Sequence, residues 1–491
     1  MASIFELDYL QDFQSLPSAL YSCVSPQGLE DAKLLLSSEH TAKLLGLNTE
    51  NLGEGDSLKL LAGQGVLSTW NPIAMKYTGH QFGHYNPDLG DGRGLLLTQV
   101  KHQGRQWDLH LKGAGLTPYS RQGDGRAVLR SSIREFLCSE AMVALGIPSS
   151  RVLSLVGSTT KVYREEVETG AMVMRVSESH IRFGHFEFCS FTGQHDLLKT
   201  LCDHVIERHY PELENSSTPY DDFFAITLDK TAKLVAHWQS TGFNHGVMNT
   251  DNMSIIGDTF DYGPFAFLDD YDANFICNHS DHQGRYAFSQ QPNIANWNLA
   301  VLAQALLPLC EKENLVAKLD TFSSVFSNYY FEMMGKKFGF IKHGIEHKPF
   351  IERTLKLLGD NRFDFTYFFR TLSSSHKQDS YEKLRNLALD IIGFDNWFKE
   401  YQAALIADNQ NTDDEFQNQT RQARMNQTNP KYILRNYLAQ NVISAAQTGD
   451  YAPLQELHHV LLTPFDEQPE FDHLAQLPPD WGKKLEISCS S

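Results

Sequence analysis

Strand-like spacing of apolar residues gives way to helical spacing from Asp196 onward in this 491-residue chain, and that change limits the folds open to it. Residues 95–100 and 107–112 read as two strands joined by the turn His102-Gln103-Gly104-Arg105. Residues 126–145 have the periodicity of a strong amphipathic helix, stopped by Gly146 and then Pro148. Residues 150–156, 161–167 and 171–176 read as further strands. From Asp196 the pattern turns helical, with one long amphipathic helix over 221–241. Residues 261–291 look irregular, and nearly all of the chain from there to residue 460 reads as helix. The first 60 residues read as mainly helical, with Leu29, Ala32, Leu35 and Leu36 on one apolar face. The polar, Asn/Gln-rich stretch 408–427 reads as a solvated helix end or loop, and the segment after Pro464 as loosely packed. The whole is an α+β chain, with strands concentrated ahead of helices.

Directly after the long helix comes His245-Gly246-Val247-Met248-Asn249-Thr250-Asp251-Asn252, followed nine residues later by Asp261-Tyr262-Gly263. The catalytic loop of a protein kinase runs H-R-D-x-x-x-x-N, and its D-F-G aspartate holds magnesium against the phosphates. Here the histidine and the final asparagine keep their separation, and Asp-Tyr-Gly stands in for D-F-G. The place of the base is taken by Val247, which cannot accept a proton. The motif therefore suits a metal–nucleotide complex while lacking the usual group that prepares a hydroxyl for γ-phosphoryl transfer.

Other residues fit the same chemistry. Lys112 ends a strand and Glu135 lies 23 residues later in a helix, the arrangement of a phosphate-facing lysine held by a glutamate; a solvated pair has the same spacing. Gly90-Asp91-Gly92-Arg93-Gly94 and Gln122-Gly123-Asp124-Gly125-Arg126 offer backbone N–H groups to anions, or are ordinary tight turns. Arg175 and Arg182 add guanidinium groups suited to bidentate phosphate contact. Asn252 and Asp261 are oxygen ligands of the kind Mg2+ or Mn2+ takes beside phosphate and water. Asp251 is the nearest carboxylate available as a base, with a capping or supporting acid as the alternative reading. Asp269, Asp270 and Asp272 look like a loop feature. His80 and His84 stand four apart across glycines and read as loop structure, not a metal pair.

The remaining features exclude classes. A net charge of −18 argues against a nucleic-acid partner, whose phosphates need a basic footprint, so an anionic nucleotide would need a local cluster of cations. No run of about 18 apolar residues marks a membrane span. The first 32 residues hold no lysine or arginine, as secretory and transit segments require. None of the seven cysteines forms a C-x-x-C pair. Cys23, Cys138, Cys189, Cys202 and Cys310 read as packed thiols, and a reducing cytoplasm is the expected compartment.

These motifs together resemble the selenoprotein O (SelO/YdiU) family of pseudokinase-fold protein adenylyltransferases. The likeness is carried by Tyr77-Thr78-Gly79-His80-Gln81-Phe82-Gly83, Gly90-Asp91-Gly92-Arg93 and the segment 112–126. It continues through residues 245–252, Asp261-Tyr262-Gly263 and Asn429-Pro430-Lys431-Tyr432-Ile433-Leu434-Arg435-Asn436-Tyr437. The resemblance spans nearly the whole chain. It implies a two-lobed kinase-like fold: a helical segment over 1–60, a β-rich small lobe over 61–190, a helical large lobe over 191–400 and a helical C-terminal extension with a flexible redox tail over 401–491. It also implies that ATP lies inverted in the cleft, so that AMP passes to Ser, Thr or Tyr hydroxyls of proteins. UTP is a further possible donor, since nothing visible reads the base.

In that family Lys112 with Glu135, Arg175 and Arg182 would grip phosphates, with the glycine clusters (Gly90, Gly92, Arg93, Asp124, Gly125) beside them. Asn252 and Asp261 would hold the metal, and Asp251 would be the base. Some members carry selenocysteine third from the C-terminus, where this chain has Cys489. The resemblance pairs it with a cysteine after the metal aspartate, for which Cys277 is the candidate. A conventional kinase using Asp251 as base, or a non-catalytic nucleotide-binding module, are the competing readings.

Overall fold

The computed structural model describes residues 1–485. One ten-stranded sheet contains β1 (Tyr9–Leu10), β2 (Tyr21–Cys23), β3 (Lys33–Ser37), β4 (Ile73–Gln81), β5 (His84–Gly90), β6 (Gly94–His102), β7 (Arg105–Lys112), β8 (Ala127–Val128), β9 (Arg151–Tyr163) and β10 (Val167–Ser177). Its path runs β2-β4-β6-β7-β10-β9-β3, with β1 on β6, β5 on β4 and β8 on β10. The pairings are antiparallel.

Both faces of this sheet are covered, and β7 shows what each face carries. Trp107, Leu109 and Leu111 join a core with Leu95, Leu97, Met172 and Met174. The alternate residues Asp108, His110 and Lys112 point the other way and are buried as well. On that second face lies helix α3 (Leu129–Ala144), packed through Ile133, Phe136, Leu137 and Met142 against Val152, Leu155 and Val173; α1 (Glu39–Leu44) and α2 (Gly55–Leu61) precede it in the chain. Buried polar side chains must find partners or cost several kcal/mol, so this face of β7 dictates the polar network described below.

The helical part begins with α4 (Phe183–Phe191), α5 (His195–His209) and α6 (Pro219–Thr241). Proline opens α6, and Gly242 in the left-handed region (φ 76°) closes it. A two-stranded ribbon, β11 (Phe243–Asn244) with β12 (Ala266–Phe267), holds the two ends of the 245–265 loop together. Helix α7 (Gln291–Leu306) follows; helices between Phe322 and Asn426 enclose an aromatic core of Phe338, Phe350, Phe369, Trp397 and Tyr401, and the last two, Asn436–Gln447 and Ala452–Leu461, pack in the same core as α3. Among the described residues no helix is long and apolar enough to cross a membrane.

Several expectations need correction. Residues 1–60 are not mainly helical, because Leu34 and Leu36 pair with Val156 and Leu155 as strand β3. A short leucine run suits helix and strand alike, and the open edge of β9 decides. Residues 161–167 are the end of β9, a turn and the start of β10, not a separate strand. The 408–427 stretch contains a helix, Glu415–Asn426, that buries Asn418, Arg421 and Met425. His80 and His84 sit at the inner ends of the β4–β5 hairpin instead of in a loop. Cys23 is exposed, Cys310 is half-buried, and Cys138, Cys189 and Cys202 are buried as expected.

The segment after Pro464 is tied down by Lys431 with Glu467 and Asp472, and by Lys483 with Asp270. The acidic cluster is likewise part of the architecture. Arg435, buried at the start of the helix Asn436–Gln447, grips Asp364 through both guanidinium ends and reaches Asp269. Arg435→Ala should therefore lower the unfolding free energy by about 3–5 kcal/mol, the usual cost of orphaning buried charges. Arg435→Lys should recover only part of it, since an ammonium cannot reproduce the bidentate grip. Urea unfolding of the two variants checks this, and a loss below about 1 kcal/mol for Arg435→Ala would mean that water replaces the arginine.

Candidate functional site

A cavity of about 520 Å³ opens between the polar face of the sheet and the loop after α6. The β5–β6 turn forms its roof. Asp91 Oδ2 accepts a hydrogen bond from the Met75 amide (3.1 Å) and lies 3.3 Å from His110 Nε2, while its Oδ1 accepts from the Tyr77 hydroxyl (3.3 Å). Thr117 donates to the Asp91 carbonyl, and the Gly113 amide to the Arg93 carbonyl (both 2.7 Å). Gly90, Gly92 and Arg93 line the cavity in the turn that these bonds hold. At Gly125 (φ 70°) a Cβ would stand 2.0 Å from the Gly115 carbonyl, so only glycine fits. The neighbouring Asp124 is held by Arg164 through both oxygens, at 2.8 and 2.9 Å.

The floor is a chain of alternating charges. Glu135, from α3, sits between Lys112 and Arg175 and is bonded to both. Arg175 continues to Asp261 Oδ1 (2.8 Å), and Arg182 binds Asp261 Oδ2. Burial would raise the Glu135 carboxyl, but Arg175 and Lys112 bring it down to about 2. Burial pulls the Lys112 ammonium down to about 8, with Glu135 opposing. Burial also acts against ionisation of Asp261, yet Arg182, Arg175 and Lys112 hold it well below the usual carboxylate range. Asp261 itself adopts the left-handed region (φ 59°), a conformation that non-glycine residues keep mainly where the surroundings enforce it.

Asp251 lies on the far wall in the short 3-10 turn Thr250–Asn252. Arg182 donates to its carbonyl (2.7 Å), and the Gln81 amide to its carboxylate Oδ2 (3.2 Å). Its Oδ1 is buried with no hydrogen-bond partner. Burial pushes this carboxyl up to about 7, against the pull of Arg182 and Gln81. Asn252 donates its amide hydrogen to the Val247 carbonyl (2.9 Å), which leaves its side-chain oxygen as an acceptor.

Eleven of the residues singled out in the sequence line this one cavity: Gly90, Gly92, Arg93, Lys112, Asp124, Gly125, Arg175, Arg182, Asp251, Asn252 and Asp261. Glu135 stands behind them. Cys277 is buried outside it, its sulfur 3.6 Å from the Asn244 carbonyl, and Cys489 lies outside the described residues. Sequence reasoning gave no role of their own to His110 and Arg164, nor to Asp91 and Gln81, which it met only inside the 90–94 glycine cluster and the 77–83 motif. The period-2 pattern of β7 could have found His110, which shares a face with Lys112; nothing local marks the contacts that Gln81 and Arg164 make.

A family model described as Protein adenylyltransferase SelO matches residues 3–462. The Protein nucleotidyltransferase YdiU of Stutzerimonas stutzeri (strain A1501) is 51% identical over 492 residues, covering 100% of both chains. The protein of the same name from Vibrio parahaemolyticus is 50% identical over 486 residues and 99% of each chain, and that from Pseudomonas aeruginosa (strain LESB58) is 48% identical over 492 residues and 100% of each.

The cavity gathers Lys112, Arg175, Arg182 and Arg93 in a strongly acidic chain, which makes it a candidate anion site. Tripolyphosphate, without metal, should raise the thermal midpoint by mass action, about 2.7 kcal/mol of added stability at 100 times its Kd. Lys112→Met should shrink that shift at matched ligand concentration, and 0.5 M salt should shrink it for the unmodified chain. Scanning calorimetry reads both. An unchanged midpoint with tripolyphosphate would remove the anion-site reading.

Proposed function

This chain belongs to the SelO family, and from that membership and the cleft we propose that it is a protein adenylyltransferase. It would move AMP from ATP to Ser, Thr or Tyr hydroxyls of proteins. The observation that carries this reading is the exchange of an acid for an apolar side chain in the loop after α6. Val247 and Asp251 both border the cavity, with valine at the ordinary base position and the carboxylate four residues on. The arrangement of a strand lysine, a helix glutamate and a loop Asn/Asp pair around one cleft supports a kinase-like two-lobed fold. In it, 61–190 form the small lobe, 191–400 the large lobe and 401–491 the extension.

The divalent cation, Mg2+ or Mn2+, would be held by Asn252 and Asp261. The donor set fits it: Asp261 is kept ionised, and Asn252 has its oxygen left over. Among the described residues no group of three or more His, Cys, Asp or Glu could hold a metal alone, so phosphate oxygens and water would complete the shell, as magnesium prefers. When bound, the cation neutralises phosphate charge and aligns the leaving group.

The chain's own residues would do the rest. Lys112, Arg175, Arg182 and Arg93, with the backbone of Gly90, Gly92 and Gly125 and the Asp124 carboxylate beside them, would fix the triphosphate with its α-phosphorus toward Asp251. Asp251 would accept the hydroxyl proton while the acceptor oxygen bonds to that phosphorus. The bond from the α-phosphorus to the bridging oxygen breaks, and pyrophosphate leaves. Positioning and charge complementarity supply most of the rate in such transfers.

Incubation with α-labelled and with γ-labelled ATP tests the reading. Protein label from the α position alone supports it, label from γ alone indicates a kinase that uses Asp251, and no label indicates a binding module; α-labelled UTP extends the test. Asp261→Ala should abolish metal–nucleotide binding and turnover together. Asp251→Ala should keep nucleotide binding and slow transfer by about 10²–10⁴-fold.

We also propose thiol control of the site through Cys277 and Cys489. Cys277 packs where a Cβ on Gly246 would meet its sulfur at 2.5 Å, at the start of the catalytic loop. The Lys483–Asp270 ion pair (2.6 Å) draws the end of the described chain to the segment that leads to Cys277. A cytoplasmic disulfide of this kind would be transient and regulatory. Non-reducing peptide mapping after oxidation should recover a Cys277–Cys489 cross-link, and Cys489→Ala should lose the redox dependence of activity. Activity indifferent to reductant, with no cross-link recovered, removes this element alone.

A further inference from the structure

The stretch Tyr77–Gly83 carries the end of β4 and the tip of the β4–β5 hairpin across the cavity mouth onto the loop that bears Asp251. The crossing is stitched by specific bonds. His80 donates its amide to Thr250 Oγ1 (2.7 Å), and Phe82 donates its amide to the Tyr286 hydroxyl (2.9 Å). Tyr286 in turn donates to the Asn249 side chain (2.6 Å). The approach is close enough to need Gly79, where a Cβ would stand 2.9 Å from Asp251 Oδ1 and 3.1 Å from Thr250 Oγ1.

At the centre of this contact Gln81 Nε2 donates to Asp251 Oδ2 (3.2 Å), the one side-chain hydrogen bond that the Asp251 carboxylate receives among the described residues. The amide cannot turn over without loss, because Asn86, on β5, donates its Nδ2 to Gln81 Oε1 (3.3 Å). That bond fixes which end of Gln81 faces the acid. A buried carboxylate with one donor on it has its plane set by that donor, and misplacing a reacting group by about 1 Å can cost about 10²-fold in rate.

We propose that Gln81 is a positioning residue for the transfer reaction: it acts through Asp251, holding the carboxylate in the orientation that receives the acceptor's proton, with Asn86 setting the amide. This rests on the adenylyltransferase reading of Asp251 as base. Gln81 also borders the cavity, so the hairpin that closes its mouth is the element that orients the base. A hairpin left open would leave the carboxylate without its donor.

Five chains test this with α-labelled ATP and a fixed protein acceptor: the unmodified chain, Gln81→Met, Asp251→Ala, the double variant and Asn86→Leu. Gln81→Met keeps length and adds no charge but removes the donor. It should lower kcat by about 10- to 100-fold while the Kd for ATP stays within twofold. Asn86→Leu should show a smaller fall in the same direction. In the Asp251→Ala background the Gln81 substitution should have no further effect, since residues acting through one group are not additive. Equal losses in both backgrounds, or a loss of ATP affinity matching the loss of rate, would mean that Gln81 only supports the hairpin. An unimpaired Gln81→Met beside a slow Asp251→Ala overturns this proposal alone. An unimpaired Asp251→Ala overturns the base assignment and the proposal with it.

Discussion

Glu135 sits with its carboxylate buried between the Lys112 ammonium and the Arg175 guanidinium, and three elements meet on it: α3, β7 and β10. None of the three groups is stable there alone. An isolated ion loses several kcal/mol on leaving water, and only close partners offset the loss. The register of the sheet makes those partners available. Arg175 pairs across from His110, and Val173 from Lys112, so the cations of neighbouring strands emerge on one face at adjacent positions. The second end of Arg175 then binds Asp261, which passes the fixed geometry of the sheet to the loop after α6.

The same arrangement explains how a chain of net charge −18 gathers positive charge in one cavity. On the floor of the cavity three cations, Lys112, Arg175 and Arg182, face two carboxylates, Glu135 and Asp261, with Arg93 exposed at the rim. The floor thus keeps one positive charge in excess, and Arg93 adds another at the rim. Asp91 stays ionised behind the turn, where the Met75 amide, Tyr77 and His110 occupy its carboxylate, and it offsets part of the Arg182 charge from there. An exposed surface carrying the same residues would be screened by water and salt; a walled cavity keeps their field.

Much of this was legible in the sequence because it depends on local spacing. The strands 95–100 and 107–112, the α3 and α6 helices and the irregular 261–291 segment all follow from periodicity and from Gly and Pro at their ends. The site residues were legible through motif: ten of the eleven cavity residues sit in a glycine cluster, toward a strand end or in the 245–263 loop, and Arg182 stands at the start of α4. What local pattern could not supply was contact over long separations. Leu34 and Leu36 become strand because β9, over a hundred residues later, offers an edge. Asp269 looks like a loop acid until Arg435 is placed beside it. Gln81 and Asp251 are 170 residues apart, and no spacing rule joins them.

The substitution of valine for the usual base takes on meaning within the loop itself. Val247 offers no proton acceptor to the cavity, and its carbonyl is used to hold Asn252. Four residues on, Asp251 is fixed at both ends: its carbonyl by Arg182, from the strand side, and its carboxylate by Gln81, from the hairpin. Its ordering therefore depends on groups outside the loop, so the acid at 251 can be maintained while position 247 is free to be apolar. A polyphosphate lying on Lys112, Arg175 and Arg182 would present different phosphorus atoms to these two positions. On the proposed reading it is the α-phosphorus that meets the acid, and the direction in which the nucleotide lies, more than the fold that holds it, decides which group is transferred.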